Sequence, residues 1–169
     1  MITLLVIFSM LSISAYTIAV CVKQKEVPYS ISATFYKLEH KFWFGVTMWI
    51  TAGLLMPAVL EMSNVNSEWS AFLSCIGMFI VGAAPNFREK KESIIHDIGA
   101  TMSLTFSQAW VAFNKPVFLS IWLLYLIYSV IYVLKQKDGN FIYKFIKTKP
   151  MFWIEIVALL ITYLTILFK

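Results

Sequence analysis

A chain of 169 residues that is 60% apolar, 17% aromatic and only 14% charged cannot cover a soluble globule with polar side chains. Its mean hydropathy of +0.76 and its apolar runs of about 16–21 residues, near the length that crosses a bilayer, point to one all-α, polytopic membrane domain over residues 1–169. The net charge of +5 is carried between those runs, so it reads as an orientation signal, and a nucleic-acid partner is not expected.

Six spans are predicted, over residues 2–22, 42–60, 69–84, 94–113, 117–134 and 151–168. The first run, Ile2 to Val22, lacks a basic stretch before it and is followed by Lys23 and Lys25. That order predicts an uncleaved anchor with its N-terminus outside; small residues at Ala15, Thr17 and Ala19 leave a cleaved signal as the alternative. Cys21 and Cys75 fall at different depths of the first and third spans, so no disulfide is expected, and they offer no metal spacing.

The connector from Lys23 to Lys41 contains V-P-Y-S-I-S-A-T-F-Y, whose Val27, Ile31, Phe35 and tyrosines are poorly placed in water. An interfacial or re-entrant piece against the bundle suits them. The second span opens on Phe42, Trp43 and Phe44, an interfacial aromatic set, and carries Pro57 one turn before its end. Glu61, Asn64, Asn66 and Glu68 then make a small acidic and amide patch before Trp69.

Between Gly82 and Ser107 one apolar segment ends, a basic turn follows, and the next segment starts with His96 and Asp97 at the membrane boundary. Ionisable side chains at that depth are a functional hypothesis by default. Gly99, Ser103 and Ser107 recur every four residues, a small-residue stripe that lets another helix approach. In the fifth span Tyr125, Tyr128 and Tyr132 follow helical spacing, so their hydroxyls are expected to turn into the bundle together. Asp138-Gly139-Asn140 signals a turn, F-I-Y-K-F-I-K a short amphipathic piece for anionic headgroups, and Glu155 stands about one turn into the sixth span.

Twelve of the fourteen lysines and arginines fall in the odd-numbered connectors: Lys23, Lys25, Lys37 and Lys41; Arg88, Lys90 and Lys91; Lys135, Lys137, Lys144, Lys147 and Lys149. Only Lys115 and Lys169 fall elsewhere. The positive-inside bias therefore predicts cytoplasmic odd connectors and both termini outside.

The pieces P-Y-S-I-S-A-T-F-Y, N-F-R-E and H-D-I-G-A, in that order between six spans, resemble the damage-regulated autophagy modulator (DRAM)-like superfamily of membrane proteins. The matching positions are Pro28, Ile31 and Ser32, then Asn86 and Phe87, then His96, Gly99 and Ala100, with Ala33 where the family has an acidic residue. The charge pattern also places the first connector in the cytoplasm, opposite to the side usual in that family. The resemblance implies a six-helix fold and a connection to lipids.

No catalytic residue, metal site or cofactor is predicted. For Ser30 or Ser32 with His96 the sequence shows neither a base within hydrogen-bond reach nor an oxyanion site, there is no G-x-S-x-G, and His40 and His96 have no paired ligand spacing. Ser30, Ser32, Asn86, Arg88, His96, Asp97 and Glu155 are instead the candidate ligand-binding set, and Gly99, Ser103 and Ser107 the packing set. For Asp97 the competing reading is helix-dipole complementarity. Glu155 either snorkels to the interface or pairs with His96 or Arg88. The expected function is non-enzymatic binding of a lipid or small amphipathic ligand in a cavity opening toward the cytoplasm. A small transporter or proton-coupled carrier using His96, Asp97 and Glu155 is the alternative. A third reading is a structural or regulatory subunit binding itself or another membrane protein through small-residue faces. Membrane lipids are the expected partners, and the expected location is a membrane, the cytoplasmic (inner) one for a bacterial source.

Overall fold

In the computed structural model, which describes residues 1–136 and 140–168, the chain is helical throughout, with no strand among the described residues. Seven α-helices follow one another: α1 (Ile2–Gln24), α2 (Phe42–Glu61), α3 (Glu68–Ala83), α4 (Lys90–Asn114), α5 (Ser120–Lys135), α6 (Phe141–Lys147) and α7 (Pro150–Leu167). Two 3-10 segments, Ser32–Lys37 and Pro116–Leu119, join them. Asp138 and Gly139 of the expected turn lie outside the described residues; Asn140 caps α6 by accepting the Tyr143 amide at 2.9 Å.

Among the described residues four helical stretches, Ile2–Gln24, Phe42–Glu61, Pro116–Lys135 and Pro150–Leu167, are long and apolar enough to cross a membrane. The other two expected spans differ for separate reasons. α3 has 16 residues, about 24 Å at 1.5 Å per residue, against a hydrocarbon core of ~30 Å. α4 is long enough at 25 residues but begins four residues earlier than expected, taking in Lys90, Lys91 and Glu92. Nothing in E-K-K-E breaks a helix, so the basic turn simply becomes its first turn.

Helices α1, α2, α3 and α4 pack in sequence, and α7 returns between α4 and α1 to close a five-helix ring. The tightest contact is between α3 and α4, where a Cβ on Gly77 would stand 2.4 Å from the Ser103 amide nitrogen and 2.6 Å from the Gly99 carbonyl oxygen. Glycine is required there because the two backbones touch. α2 meets α3 in the same way: a Cβ on Gly45 would lie 2.8 Å from the Gly82 carbonyl. α5 stands outside the ring, with only Ser129 and Val133 buried. Its leucines, Ile127 and Ile131 face outward, as lipid-facing side chains do, while Ile121 packs against the ring.

Polar contacts join the connectors at each end of the ring. At one end the Tyr36 hydroxyl donates to Asn86 Oδ1 at 3.1 Å and accepts the Arg88 amide at 2.7 Å, while the Phe152 amide donates to the Tyr29 carbonyl at 3.0 Å. The first connector, the 84–89 turn and the start of α7 therefore meet there. At the opposite end the Asn64 amide donates to Asn114 Oδ1 at 3.2 Å, Asn114 donates to Ser67 Oγ at 2.9 Å, and the Trp110 indole donates to Ser63 Oγ at 2.6 Å.

Candidate functional site

The first connector does not hang free. Ile31, Ser32, Thr34 and Phe35 are buried against the ring, which removes the apolar side chains from water. The Tyr16 hydroxyl meets Thr34 Oγ1 at 2.6 Å, fastening the 3-10 turn to α1. Pro28 supplies the fixed backbone angle that turns the chain inward, and it too is buried. The free amide of Ile31 then points at α7, where a carboxylate oxygen of Glu155 accepts it. An amide left without a partner there would carry a desolvation penalty of about 1–3 kcal/mol.

Behind that contact lies a cavity of about 100 Å³ at the centre of the ring. Ile13 of α1, Met48 and Leu55 of α2, Met78 and Val81 of α3, Leu104 of α4 and Leu159 of α7 form its apolar walls. Its polar groups are Ser32, Ser74, Ser103, Ser107, Thr162 and Glu155. Every helix of the ring contributes, so no single segment of sequence contains the site. Residues at helical spacing on α4 (Ala100, Ser103, Leu104 and Ser107) and on α7 (Glu155, Ala158, Leu159 and Thr162) line it.

Three of the hydroxyls have their hydrogen directed at backbone carbonyls. Ser74 donates to the Ser103 carbonyl at 3.1 Å, Ser107 to that of Leu104 at 2.9 Å, and Thr162 to that of Ala158 at 2.9 Å. The floor is braced by Gln108, which donates to Ser107 Oγ at 3.1 Å and to the Ala158 carbonyl at 3.3 Å while accepting the Trp122 indole at 2.9 Å. This ties α5 to the ring through its one inward-facing tryptophan.

The seven residues named from sequence divide into groups. Ser32 and Glu155 line the cavity. Ser30 is buried beside it, and its hydroxyl accepts the Ala33 amide at 3.0 Å, a turn-stabilising role. Asn86, Arg88 and His96 belong to a separate cluster on the 84–96 segment. There the Arg88 guanidinium lies 4.2 Å from the centre of the Tyr36 ring, a cation–π contact. His96 is buried, its Nδ1 lies 2.8 Å from the Ala84 carbonyl oxygen, and its ring lies 5.0 Å from that of Phe87. Each of these has found a local partner.

Of the two readings of Glu155, its pairing with His96 or Arg88 is not seen among the described residues, and its carboxyl group takes the Ile31 amide instead. Asp97 is exposed, with Ser93 Oγ at 3.4 Å, and the early start of α4 leaves it beyond the helix's first turn. The tyrosines of α5 also separate. Tyr125 reaches the Pro150 carbonyl at 3.4 Å, whereas Tyr128 and Tyr132 remain exposed. Cys21 and Cys75 are both free thiols, and the described residues contain no cluster of three metal-ligating side chains.

Sequence reasoning did not single out Ser74, Thr162 or Met78 as cavity residues, nor Tyr36 as the link between the first connector and the 84–88 turn. It also missed a hydroxyl chain deep in the ring, where Ser9 donates to the Thr51 carbonyl at 2.9 Å and meets the Tyr163 hydroxyl at 2.8 Å. Isolated hydroxyls in apolar spans are too common to mark a site unless their neighbours are known. No protein-family model, curated protein or solved structure matches this chain.

Proposed function

We propose that the chain is a six-span integral membrane protein that binds a lipid or small amphipathic ligand, without catalysis, in the cavity at Glu155. In this reading α3 and α4 complete the set of spans, the odd-numbered connectors, which hold most of the lysines, are cytoplasmic and both termini are outside. A short span such as α3 is tolerated by local bilayer thinning and by interfacial anchors such as Trp69. The observation that carries the reading is a largely apolar chamber with one carboxylate and several hydroxyls, the usual make-up of a small-ligand site. The lipid connection implied by the DRAM-like resemblance is in keeping with it.

The carrier reading has less support, because Asp97 faces outward and His96 is bonded within its own segment, so neither extends a polar path from Glu155. The subunit reading would use the Gly99 and Ser103 face, which α3 of the same chain already covers. Native mass spectrometry of protein released from mild detergent tests the proposal. A bound amphipathic mass is expected on the wild type and should be lost in Ala158→Leu, which fills the cavity. Recovery of a folded wild type with no bound mass, over a range of detergents, would sink the reading.

A further inference from the structure

The polar lining of the cavity is one carboxyl group and five hydroxyls, three of which have already directed their hydrogens elsewhere, and this excess of acceptors selects the kind of polar end a ligand can bring. Glu155 is its one ionisable lining residue among the described residues, with no lysine, arginine or histidine beside it on the wall. One carboxylate oxygen takes the Ile31 amide, and the other has no partner among the described residues. Ser74, Ser107 and Thr162 have turned their hydrogens to carbonyls and so can act only as acceptors, Ser107 already taking one hydrogen bond from Gln108. Ser32 and Ser103 add two further hydroxyls to the lining, each able to accept a hydrogen bond as well as donate one. A carboxylate in such surroundings is stabilised by a cation that also donates hydrogen bonds. An ammonium group has three donors and no acceptor, which complements this set, whereas a carboxylate ligand would meet no cation on the wall.

We infer that the cavity takes a protonated primary amine carrying a short apolar tail, its ammonium on Glu155 and the serine hydroxyls and its tail along Met48, Met78 and Leu159. The assignment rests on the ligand-binding reading above and names the chemistry of its ligand. The volume limits the enclosed part of the tail: about 100 Å³ is less than the ~150 Å³ cavity that accommodates a benzene ring. Butylamine is therefore a suitable probe.

The test compares n-butylamine, n-butanol and butyrate binding to the full chain in lipid nanodiscs, by saturation-transfer NMR at neutral pH. Butylamine should bind the wild type roughly 10- to 100-fold more tightly than butanol, the range expected of hydrogen bonds to a charged group. Glu155→Gln keeps an acceptor for the Ile31 amide and should lose that preference while still binding butanol. Ser103→Ala, which leaves Glu155 untouched, should weaken the amine by roughly 3- to 10-fold, and Ala158→Leu should bind neither probe. Equal binding of butanol and butylamine, preference for butyrate, or an amine preference that survives in Glu155→Gln would overturn the ammonium assignment and leave the cavity as a ligand site. Binding of none of the three to the wild type would overturn both. An amine signal unchanged in Ala158→Leu would assign it to the lipid surface and overturn the assignment as well.

Discussion

At the scale of single residues, two positions carry more than their neighbours. Gly77 has no room for even a methyl group, because what it meets is the backbone of α4 and not a side chain that can rotate away. Gly77→Ala should therefore lower stability by about 2 kcal/mol or more, the usual range for overpacking a tight contact, read as a fall in thermal midpoint in detergent. A midpoint equal to the wild type would mean that α3 and α4 are not held this closely. Glu155 is different in kind, since its carboxylate completes the hydrogen bonding of the first connector. In Glu155→Leu the Ile31 amide loses its acceptor, a loss of roughly 1–3 kcal/mol, and its hydrogen exchange should quicken. Glu155→Gln should keep that amide protected. Similar exchange in the two variants would detach the connector from α7.

At the scale of elements, the first connector is the piece that distinguishes this bundle from a plain array of spans. Its 3-10 turn is inserted into the ring by Ile31, Thr34 and Phe35 and fixed by contacts to α1, α7 and the 84–88 turn. Its solvent edge carries two ion pairs, Lys23 with Glu39 at 3.1 Å and Lys37 with Glu26 at 2.7 Å. Hydrogen bonding and charge from these lysines hold both carboxyls below the usual glutamate range. A carboxylate whose pKa is lowered by folding adds stability above its unfolded value, near 4.3. That contribution disappears as the pH falls through the lower, folded value. Wild type and Glu39→Gln should thus differ slightly at neutral pH and low salt and converge in acid below that window. Because both pairs are exposed, about 1 M salt should also reduce the difference. A gap that persists in acid would mean that Glu39 acts through something other than its charge.

At the scale of the whole molecule, the ring gathers the first connector, the 84–89 turn and the start of α7 at one end and the 61–68 and 114–119 segments at the other. The proposed sidedness follows that division. Impermeant amine labelling of sealed, right-side-out vesicles should leave Lys90 and Lys147 unmodified and reach Lys115. Lys90 and Lys147 labelled from opposite faces would break the six-span topology and the cytoplasmic placement of the cavity together. α5 would be the element most altered by leaving lipid, since nearly its entire surface is apolar and unpacked.

Much of the architecture is legible in the sequence, because hydropathy and helix length are local properties. Apolar runs bounded by lysines locate helices α1, α2, α5 and α7 to within a few residues, and the aromatic, proline-bearing connector announces that it cannot stay in water. The stripe of Gly99, Ser103 and Ser107 shows that one side of α4 is small. Its use is divided in the fold between contact with Gly77 and the lining of a cavity. The sequence could also show that Glu155 needed a partner. It could not show that the partner is a backbone amide 124 positions away, because a main-chain donor leaves no mark in residue identity. Which hydroxyls face a common space, and which have already directed their hydrogens to carbonyls, depends on how five helices are rotated about their axes. That rotation is decided by side-chain packing between segments distant in the chain, and only the tertiary structure contains it.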